Sequence, residues 1–203
     1  MGRTNVPRGE ARREAIVRAA LELIGEQGLD AVTHRALADR AGVPLSATTY
    51  WFASKDDILQ EALLVAAREE VDRLERVVLS LAGKELDVSR WADAVAAELA
   101  AELEEDPARQ VAFTELVLEG TRRPWLREEV ARWEEAFLRL AELGLRATGS
   151  PEPVTDARLV VATVTGLMIG QLTNPQPDFE EQVFRPALER LFTRLVEREA
   201  VPA

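Results

Sequence analysis

The chain has 203 residues, of which 47% are hydrophobic, contains no cysteine and carries a formal net charge of −11 at pH 7. The absence of cysteine excludes disulfides, thiolate metal sites and cysteine nucleophiles. The length suits one large domain or two small ones with a hydrophobic core, and we expect two unequal units.

The charge is distributed unevenly along the chain. Residues 1–55 contain eight basic and six acidic side chains, a net charge of +2, so residues 56–203 carry −13. Because salt screens charges over roughly 8 to 10 Å, a phosphate near the N-terminal part would interact mainly with the basic groups there. The distribution is compatible with nucleic-acid binding, although a solvated basic helix face would explain it equally well.

The most apolar stretch, residues 159–172, is interrupted by threonines and glycines and is too short to cross a bilayer. The residues before the first helix do not have the pattern of a signal peptide, so none is expected. We therefore expect a cytoplasmic protein without a membrane partner.

The first predicted helix covers residues 10–27, because Ile16, Ala20 and Ile24 recur at helical spacing. Arg3, Arg8 and Arg12 lie before or at its start. Such residues form basic arms that reach the backbone or minor groove of DNA in other proteins, but an ordinary disordered terminus is the simpler interpretation.

Two short helices joined by a glycine turn follow. Thr33 is a good N-cap for the first of them, and Gly42 lies where that helix must end in a left-handed conformation. Pro44 begins the second helix, which we expect to reach Phe52. This arrangement is typical of a helix-turn-helix whose second helix reads DNA.

The second helix carries small or hydroxylated side chains that suit a DNA groove, Ser46, Thr48 and Thr49 among them. Ser54 and Asp57 then give a capping signal for a further helix. Lys55, in its first turn, is one of only two lysines and is well placed to anchor a phosphate.

The region from residue 10 to residue 60 contains the following ordered series: Arg13, Ile16, Ala19, Ala20, Leu23, Gly28, Thr33, Leu37, Ala38, Ala41, Gly42, Val43, Tyr50, Phe52, Ser54, Lys55 and Leu59. The series resembles the DNA-binding domain of the tetracycline-repressor (TetR) family. Many members have a serine at the position of Pro44 and a glycine at that of Ser46. The tyrosine to which the family assigns a phosphate contact corresponds to Thr49 or Tyr50.

The motif and the resemblance together predict a set of DNA-contacting residues. They are Thr33, His34, Arg35, Ser46, Thr48, Thr49, Tyr50 and Lys55.

The pattern of apolar residues in the rest of the chain predicts amphipathic helices, and it shows no strand-like alternation. We expect helices at residues 54–81, 89–105, 107–120, 124–148, 155–173 and 179–199. Pro186 either kinks the last of these or marks its true start.

The predicted fold is therefore all-α with about nine helices. We assign residues 1–53 to a three-helix DNA-binding domain with a helix-turn-helix and residues 54–82 to a connecting helix. Residues 83–203 form a helical bundle that the resemblance assigns to effector binding and dimerisation.

The resemblance implies a homodimer formed by the last two helices. We predict interface residues Val164, Gly166, Leu167, Gly170, Phe184, Leu188, Leu191 and Leu195. Two reading helices must lie about one DNA turn apart, roughly 34 Å, and two-fold symmetry achieves this most simply. Helical spacing alone leaves open that these residues form the core of a monomeric bundle.

In the family, the C-terminal domain binds a small-molecule effector. The predicted ligand-binding residues are the large apolar ones Trp91, Phe113, Trp125, Trp133, Phe137 and Met168. Polar side chains that could accompany them are Thr114, Glu115, Arg122, Thr163, Thr165 and Gln171. The alternative is that the apolar residues only pack.

Catalysis, metal binding and cofactors are not expected. His34 is the single histidine, which is insufficient for a histidine metal site or a catalytic triad. The acidic residues Glu102, Glu104, Glu105 and Asp106 are better explained as a solvated helix end than as a cation site.

The sequence therefore predicts a ligand-responsive transcriptional regulator, most often a repressor in this family, that binds a palindromic double-stranded DNA operator as a homodimer. A small, largely apolar effector would release it. The alternative is a helical small-molecule-binding or catalytic protein that does not use the N-terminal fold for DNA.

Overall fold

The structure, a computed structural model, describes residues 8–81 and 88–197. In these two ranges it is helical and contains no strand, which confirms the all-α prediction. The helices are α1 (Arg8–Gln27), α2 (His34–Ala41), α3 (Leu45–Trp51), α4 (Lys55–Leu81), α5 (Val88–Glu105), α6 (Pro107–Glu119), α7 (Pro124–Ala147), α8 (Pro153–Thr173) and α9 (Arg185–Val196). A short 3₁₀ turn, Leu29–Ala31, precedes α2.

The predicted helix limits agree with these bounds within two residues, except at the last helix. There a π-helical turn, Glu180–Phe184, precedes α9, and Pro186 lies in the first turn of α9. Because Pro186 has no N–H, it cannot continue a regular hydrogen-bond ladder from the preceding turn. The α-helix therefore begins next to the proline. Arg3, the predicted boundary at residues 82–84 and the predicted helix end at residue 199 lie outside the described residues.

The chain forms two compact units. The first, here the N-terminal unit, consists of Met1–Ala67 and Ala108–Val130; the second, the C-terminal unit, consists of Arg68–Pro107 and Ala131–Ala203. Helices α4 and α7 contribute residues to both units. Almost all of α6 lies in the N-terminal unit, whereas the sequence groups it with residues 83–203.

The core of the N-terminal unit is formed by α1 against the helix-turn-helix. Ile16 and Ile24 of α1, Leu37 of α2 and Phe52 after α3 are fully or almost fully buried. Each such side chain contributes roughly 1.5 to 3 kcal/mol through removal of apolar surface from water. A Cβ on Gly25 would lie 1.9 Å from the backbone oxygen of Ala108, so α1 and the start of α6 are in direct backbone contact.

The core of the C-terminal unit is formed by α5, α7, α8, α9 and the second half of α4. Helix α5 packs most extensively against α9. Next to this contact, the rings of Phe179 and Phe184 stack with centroids 5.2 Å apart, and Arg185 donates to Asp93 Oδ1 at 2.7 Å. The Arg185 hydrogen bond attaches the start of α9, next to the π-helical turn, to α5.

Trp91 lies in a notch of α7. A Cβ added at Gly144 would lie 2.0 Å from Cζ2 of the Trp91 indole, so only glycine leaves room for the ring at this position. Trp91 is 4% exposed. The pair therefore determines how closely α5 and α7 approach.

Helix α8 is the most apolar of the described helices. By length and composition it is the one described helix that could cross a membrane. Its most apolar stretch of 18 residues has a mean hydropathy of 1.2. A single helix of this kind is weak evidence for a membrane protein, because helices of soluble proteins have the same properties. Only 22% of that stretch is buried within the chain, so α8 leaves much apolar surface uncovered.

We expect Gly144→Ala to lower the free energy of unfolding by about 1 to 3 kcal/mol, because the added methyl group displaces the Trp91 indole from its notch. The opposite effect, the higher helix propensity of alanine, is worth about 1 kcal/mol at most. Urea denaturation followed by circular dichroism measures the net change.

The control is Leu143→Ala at the neighbouring, exposed position of α7, which should change stability by no more than about 0.5 kcal/mol. A Gly144→Ala variant as stable as the parent would show that the indole has another position of equal energy.

Candidate nucleic-acid interface and effector cavity

Helix α2 begins and ends at the predicted residues. Thr33 is its N-cap, and Oγ1 of Thr33 accepts a hydrogen bond from the Ala36 N–H at 3.2 Å. Gly42 adopts a left-handed conformation with φ of 64°, and its N–H donates to Ala38 O. A residue with a Cβ is strained in this conformation, which explains the glycine between α2 and α3.

Helix α3 begins one residue later than predicted. Pro44 is its N-cap, in an extended conformation, and the helix covers Leu45–Trp51. Ser46, Thr49 and Tyr50 are exposed on α3, and Tyr50 is 79% exposed. Leu45 is exposed beside them, although no motif predicts a role for it. These four side chains form the outward face of α3.

Thr48 does not belong to that face. It is fully buried, and its hydroxyl lies 2.8 Å from the carbonyl oxygen of Leu45 and 3.2 Å from Nδ1 of His34. A side chain without solvent-accessible surface cannot contact DNA directly. The prediction of a DNA contact by Thr48 is therefore wrong, and the residue instead joins α3 to α2.

The Thr48 hydroxyl lies within hydrogen-bond distance of three groups. Leu45 O lies 2.8 Å from Oγ1, Nδ1 of His34 lies 3.2 Å away and the His34 carbonyl oxygen 3.5 Å. Because a hydroxyl can both donate and accept, Thr48 can bond Leu45 and the His34 ring at the same time. The side chain therefore links α3 to the start of α2.

The start of α4 has the predicted reciprocal cap. The Asp57 N–H donates to Ser54 Oγ at 3.1 Å, and the N–H groups of Ala53 and Ser54 both donate to Asp57 Oδ2 at 3.0 Å. Asp57 thus satisfies two backbone donors that would otherwise need water. The cap fixes the position from which Lys55 extends.

Lys55 is partly exposed, and its Nζ lies 3.8 Å from Oδ1 of Asp30. Asp30 is fully exposed, and such surface pairs contribute about 0 to 1 kcal/mol. The Lys55 ammonium group can therefore exchange Asp30 for a phosphate with little loss of free energy. Arg35, in the first turn of α2, is also exposed.

Arg123 connects α4 to the end of α6 within the N-terminal unit. Its guanidinium forms an ion pair with Asp56 and donates through Nε to Glu119 Oε1 at 2.8 Å. The Arg123 hydrogen bond lowers the pKa of Glu119, with a smaller contribution from Arg122, so Glu119 is ionised at neutral pH. The contact holds the end of α6 against the helix that carries Lys55.

The C-terminal unit contains a cavity of about 40 Å³. Its lining residues are all apolar: Leu74, Val77, Val78, Trp91, Val95, Leu99, Phe137, Leu140, Ala141, Val160, Val161, Val164 and Phe192. They come from five helices, α4, α5, α7, α8 and α9. Most were not predicted, because apolar spacing does not distinguish residues around a cavity from residues in a filled core.

Two of the six predicted ligand-binding residues, Trp91 and Phe137, line this cavity. Trp133 and Met168 pack against the same core from outside the cavity, with the Trp133 ring stacked on Phe137 at 5.4 Å. Phe113 and Trp125 belong to the N-terminal unit, where Trp125 lies under the guanidinium of Arg123. A contact between these last two and a ligand in the cavity is therefore not supported.

The predicted dimer residues divide into buried and outward-facing groups. Val164, Phe184, Leu188 and Leu195 are buried within their own chain and can contribute little surface to a partner. Gly166 and Gly170 are exposed with open space around them, and Leu167 and Leu191 are half-buried. Leu159 and Ile169 add exposed apolar surface to α8.

The acidic run at the end of α5 is not one solvated face. Glu102 is 2% exposed and lies 3.6 Å from Nη2 of Arg73, whereas Glu104, Glu105 and Asp106 are exposed. The interpretation as a solvated helix end is thus wrong for Glu102. In the described ranges, no three acidic or histidine side chains converge as metal ligands would.

Comparison with known proteins gives two family matches. The model described as "Bacterial regulatory proteins, tetR family" matches residues 16–62, and "Tetracyclin repressor-like, C-terminal domain" matches residues 86–198. The chain belongs to the TetR family. It is a DNA-binding transcriptional regulator with a helix-turn-helix, and not an enzyme.

Two curated regulators match part of the chain. Tetracycline repressor protein class C of Escherichia coli is 43% identical over 56 residues, 26% of each chain. The uncharacterized HTH-type transcriptional regulator YdeS of Bacillus subtilis (strain 168) is 34% identical over 65 residues, 32% of this chain and 33% of YdeS. The match thus spans no more than a third of the length of these relatives.

Solved structures match over nearly the whole chain. The multidrug binding protein EbrR complexed with imidazole is 33% identical, with a TM-score of 0.69 and coverage of 93% of this chain and 97% of EbrR. Structures of EbrR complexed with ethidium, malachite green and proflavin match with TM-scores of 0.65, 0.63 and 0.58. The TetR-family fold therefore extends through both units.

The Thr48→Val substitution should weaken DNA binding, although the buried side chain of residue 48 does not itself contact DNA. Valine keeps the shape of threonine but removes the hydroxyl that bonds the His34 ring and Leu45 O. Each such hydrogen bond is worth about 0.5 to 1.5 kcal/mol. We expect a roughly two- to tenfold lower affinity, measured by fluorescence anisotropy with labelled duplex.

The double-mutant cycle with His34→Ala tests whether Thr48 acts through the histidine. In the His34→Ala background, Thr48→Val should have no further effect on affinity. Additive losses, with an unchanged circular dichroism spectrum, would show that Thr48 acts on binding by another route.

Proposed function

We propose that the protein is a cytoplasmic homodimeric repressor that binds a palindromic operator and is released by a small, largely apolar effector. The observation that carries the proposal is the outward face of α3, fixed to α2 through Thr48 and His34. A rigid, exposed helix face with adjacent basic side chains is what recognition in the major groove requires.

The contacts we propose follow the exposure of the predicted residues. Base edges would be read by the exposed side chains of α3, and phosphates would be bound at the starts of α2 and α4. The proposed set is Thr33, His34, Arg35, Ser46, Thr49, Tyr50 and Lys55. Tyr50 is 79% exposed, and its long side chain favours it over Thr49 as the phosphate-binding hydroxyl.

The uncovered apolar surface of α8 supports the proposed homodimer. Gly166 and Gly170 lie one helical turn apart on the exposed side of α8, and a second helix could approach closely there. Exposed apolar patches of this kind mark interaction sites in soluble proteins. A two-fold axis at α8 would pair two copies of the same surface and hold two recognition helices at a fixed separation.

The apolar lining of the cavity supports a largely apolar effector. The multidrug binding protein EbrR is complexed with ethidium, malachite green and proflavin, which are aromatic cations, so a large aromatic surface is what these ligands share with the apolar lining proposed here. At about 40 Å³ the cavity is smaller than the roughly 150 Å³ that holds a benzene. An effector would therefore have to displace side chains that line the cavity.

Displacement of the cavity-lining side chains by an effector could change DNA binding through α4. Leu74, Val77 and Val78 of α4 line the cavity, and Lys55 begins the same helix. A shift of α4 would move the phosphate anchor of each protomer. The loss of fit would cost part of the roughly 4 to 10 kcal/mol that separates specific from non-specific DNA binding.

Selection of binding sites from a randomised duplex pool with the purified protein tests the proposal. Enrichment of an inverted repeat, together with a dimeric mass in solution, is expected. Release of the selected duplex by apolar aromatic compounds then tests the effector. Failure to enrich any sequence at low salt with folded protein would favour a helical ligand-binding protein that does not use DNA.

The Lys55→Ala substitution should weaken binding to every duplex and not only to the selected one. Loss of one phosphate contact reduces the slope of log K against log salt by about one unit. Titrations at several salt concentrations measure this slope.

Arg146→Ala is the control, because it removes one positive charge from α7 in the C-terminal unit. Its salt slope should equal that of the parent. If Lys55→Ala also keeps the parental slope, Lys55 does not bind phosphate.

A further inference from the structure

The outward face of α3 lacks the side chains that most often distinguish DNA bases. Its members are Leu45, Ser46, Thr49 and Tyr50, and the whole helix contains no charged residue, asparagine or glutamine. Arginine, lysine, asparagine and glutamine are the residues that recognise guanine and adenine through paired hydrogen bonds in the major groove. Helix α3 must therefore read bases by other chemistry.

The hydroxyl groups of this face supply little specificity. A serine or threonine hydroxyl can donate or accept a hydrogen bond, so Ser46 and Thr49 can bond the edges of different bases. Tyr50 is the proposed phosphate ligand, and a phosphate contact carries no sequence information. Leu45 is the remaining side chain of the face, and it is apolar.

Leu45 lies where a recognition helix meets the bases. It is the first residue of α3, and it is 49% exposed. In helix-turn-helix proteins the N-terminal residues of the recognition helix contact base edges. Water covers the apolar surface of Leu45 until DNA binds. Removal of that surface from water stabilises the complex if the DNA presents an apolar group to it.

The backbone of Leu45 is held in place in the free protein. Pro44 precedes it, and the proline ring restricts φ, which is −60° here. The buried Thr48 hydroxyl lies 2.8 Å from the Leu45 carbonyl oxygen and 3.2 Å from Nδ1 of His34. Leu45 is thus connected to α2 through Thr48. A contact made by a residue held in this way costs less conformational entropy.

Among the four standard bases, thymine alone has a methyl group in the major groove. Contact between Leu45 and this C5-methyl group removes apolar surface of both partners from water. Contact with a base edge that offers only donors and acceptors would remove water from a polar group without replacing its hydrogen bond. The chemistry of Leu45 therefore favours thymine at the position that it faces.

We propose that Leu45 is a specificity-determining residue that reads the C5-methyl group of one thymine in each half-site of the operator. The inference rests on the proposed function, because it requires sequence-specific DNA binding through α3. It deepens that function by assigning one base to one side chain. Burial of one methyl group changes affinity about fourfold, so two half-sites together change it about fifteenfold.

Deoxyuridine is the probe, because it pairs as thymidine does and lacks only the methyl group. The duplex selected from the randomised pool is made with deoxyuridine at one thymine position of the half-site at a time, and always in both half-sites. We expect one of these replacements to weaken binding to the parent protein about fifteenfold. Fluorescence anisotropy measures the affinities, and the result does not depend on the folding of a variant.

The Leu45→Ala variant connects the effect to the side chain. It should bind the thymine duplex more weakly than the parent does, and the deoxyuridine replacement should then change its affinity little. Leu45→Met keeps a long apolar side chain and should keep the preference for thymine. The matched control is Leu118→Ala, which alters another exposed leucine of the N-terminal unit and should behave as the parent does.

Equal affinity of the parent for the thymine duplex and for all deoxyuridine duplexes would overturn the inference, as would a selected half-site without thymine. The same loss in Leu45→Ala as in the parent would also overturn it, because another side chain would then read the methyl group. In each case the selected operator, and with it the proposed function, still stands. Failure to enrich any sequence contradicts the proposed function itself, so the two failures are distinguishable.

Discussion

The continuity of α4 is the constraint on which the rest of the structure depends. One helix of 27 residues contributes to both compact units without interruption. Its first turn is fixed by the reciprocal cap of Ser54 and Asp57, and its second half forms part of the apolar cavity. The cap and the cavity-lining residues Leu74, Val77 and Val78 are therefore carried by one continuous helix.

Local features of the chain could be predicted because they depend on few neighbours. The N-cap at Thr33, the left-handed Gly42 and the cap at Ser54 each involve residues within four positions in sequence. Helix type and limits followed from the same short-range rules. The family resemblance extended this information to the fold as a whole, since the order of the motifs is specific even where single residues differ.

Tertiary contacts explain what the sequence could not predict. Thr48 looked like Thr49, but its hydroxyl faces Leu45 and His34 across the α2–α3 contact, and sequence does not show which threonine turns inward. Helix α8 is apolar on most of its circumference, so periodicity could not separate buried Val164 from exposed Ile169. Two neighbouring acids, Glu102 and Glu104, likewise have opposite environments because a helix turns by about 100° per residue.

The outward position of Tyr50 has a practical consequence. It is the single tyrosine of the chain, it is 79% exposed, and its ring centroid lies 5.2 Å from that of Trp51. Nitration of tyrosine would therefore label one site, on the recognition helix itself, and the nitrophenol would quench the adjacent tryptophan. The protein thus contains a natural attachment point for an optical sensor of whatever covers α3, without any engineered residue.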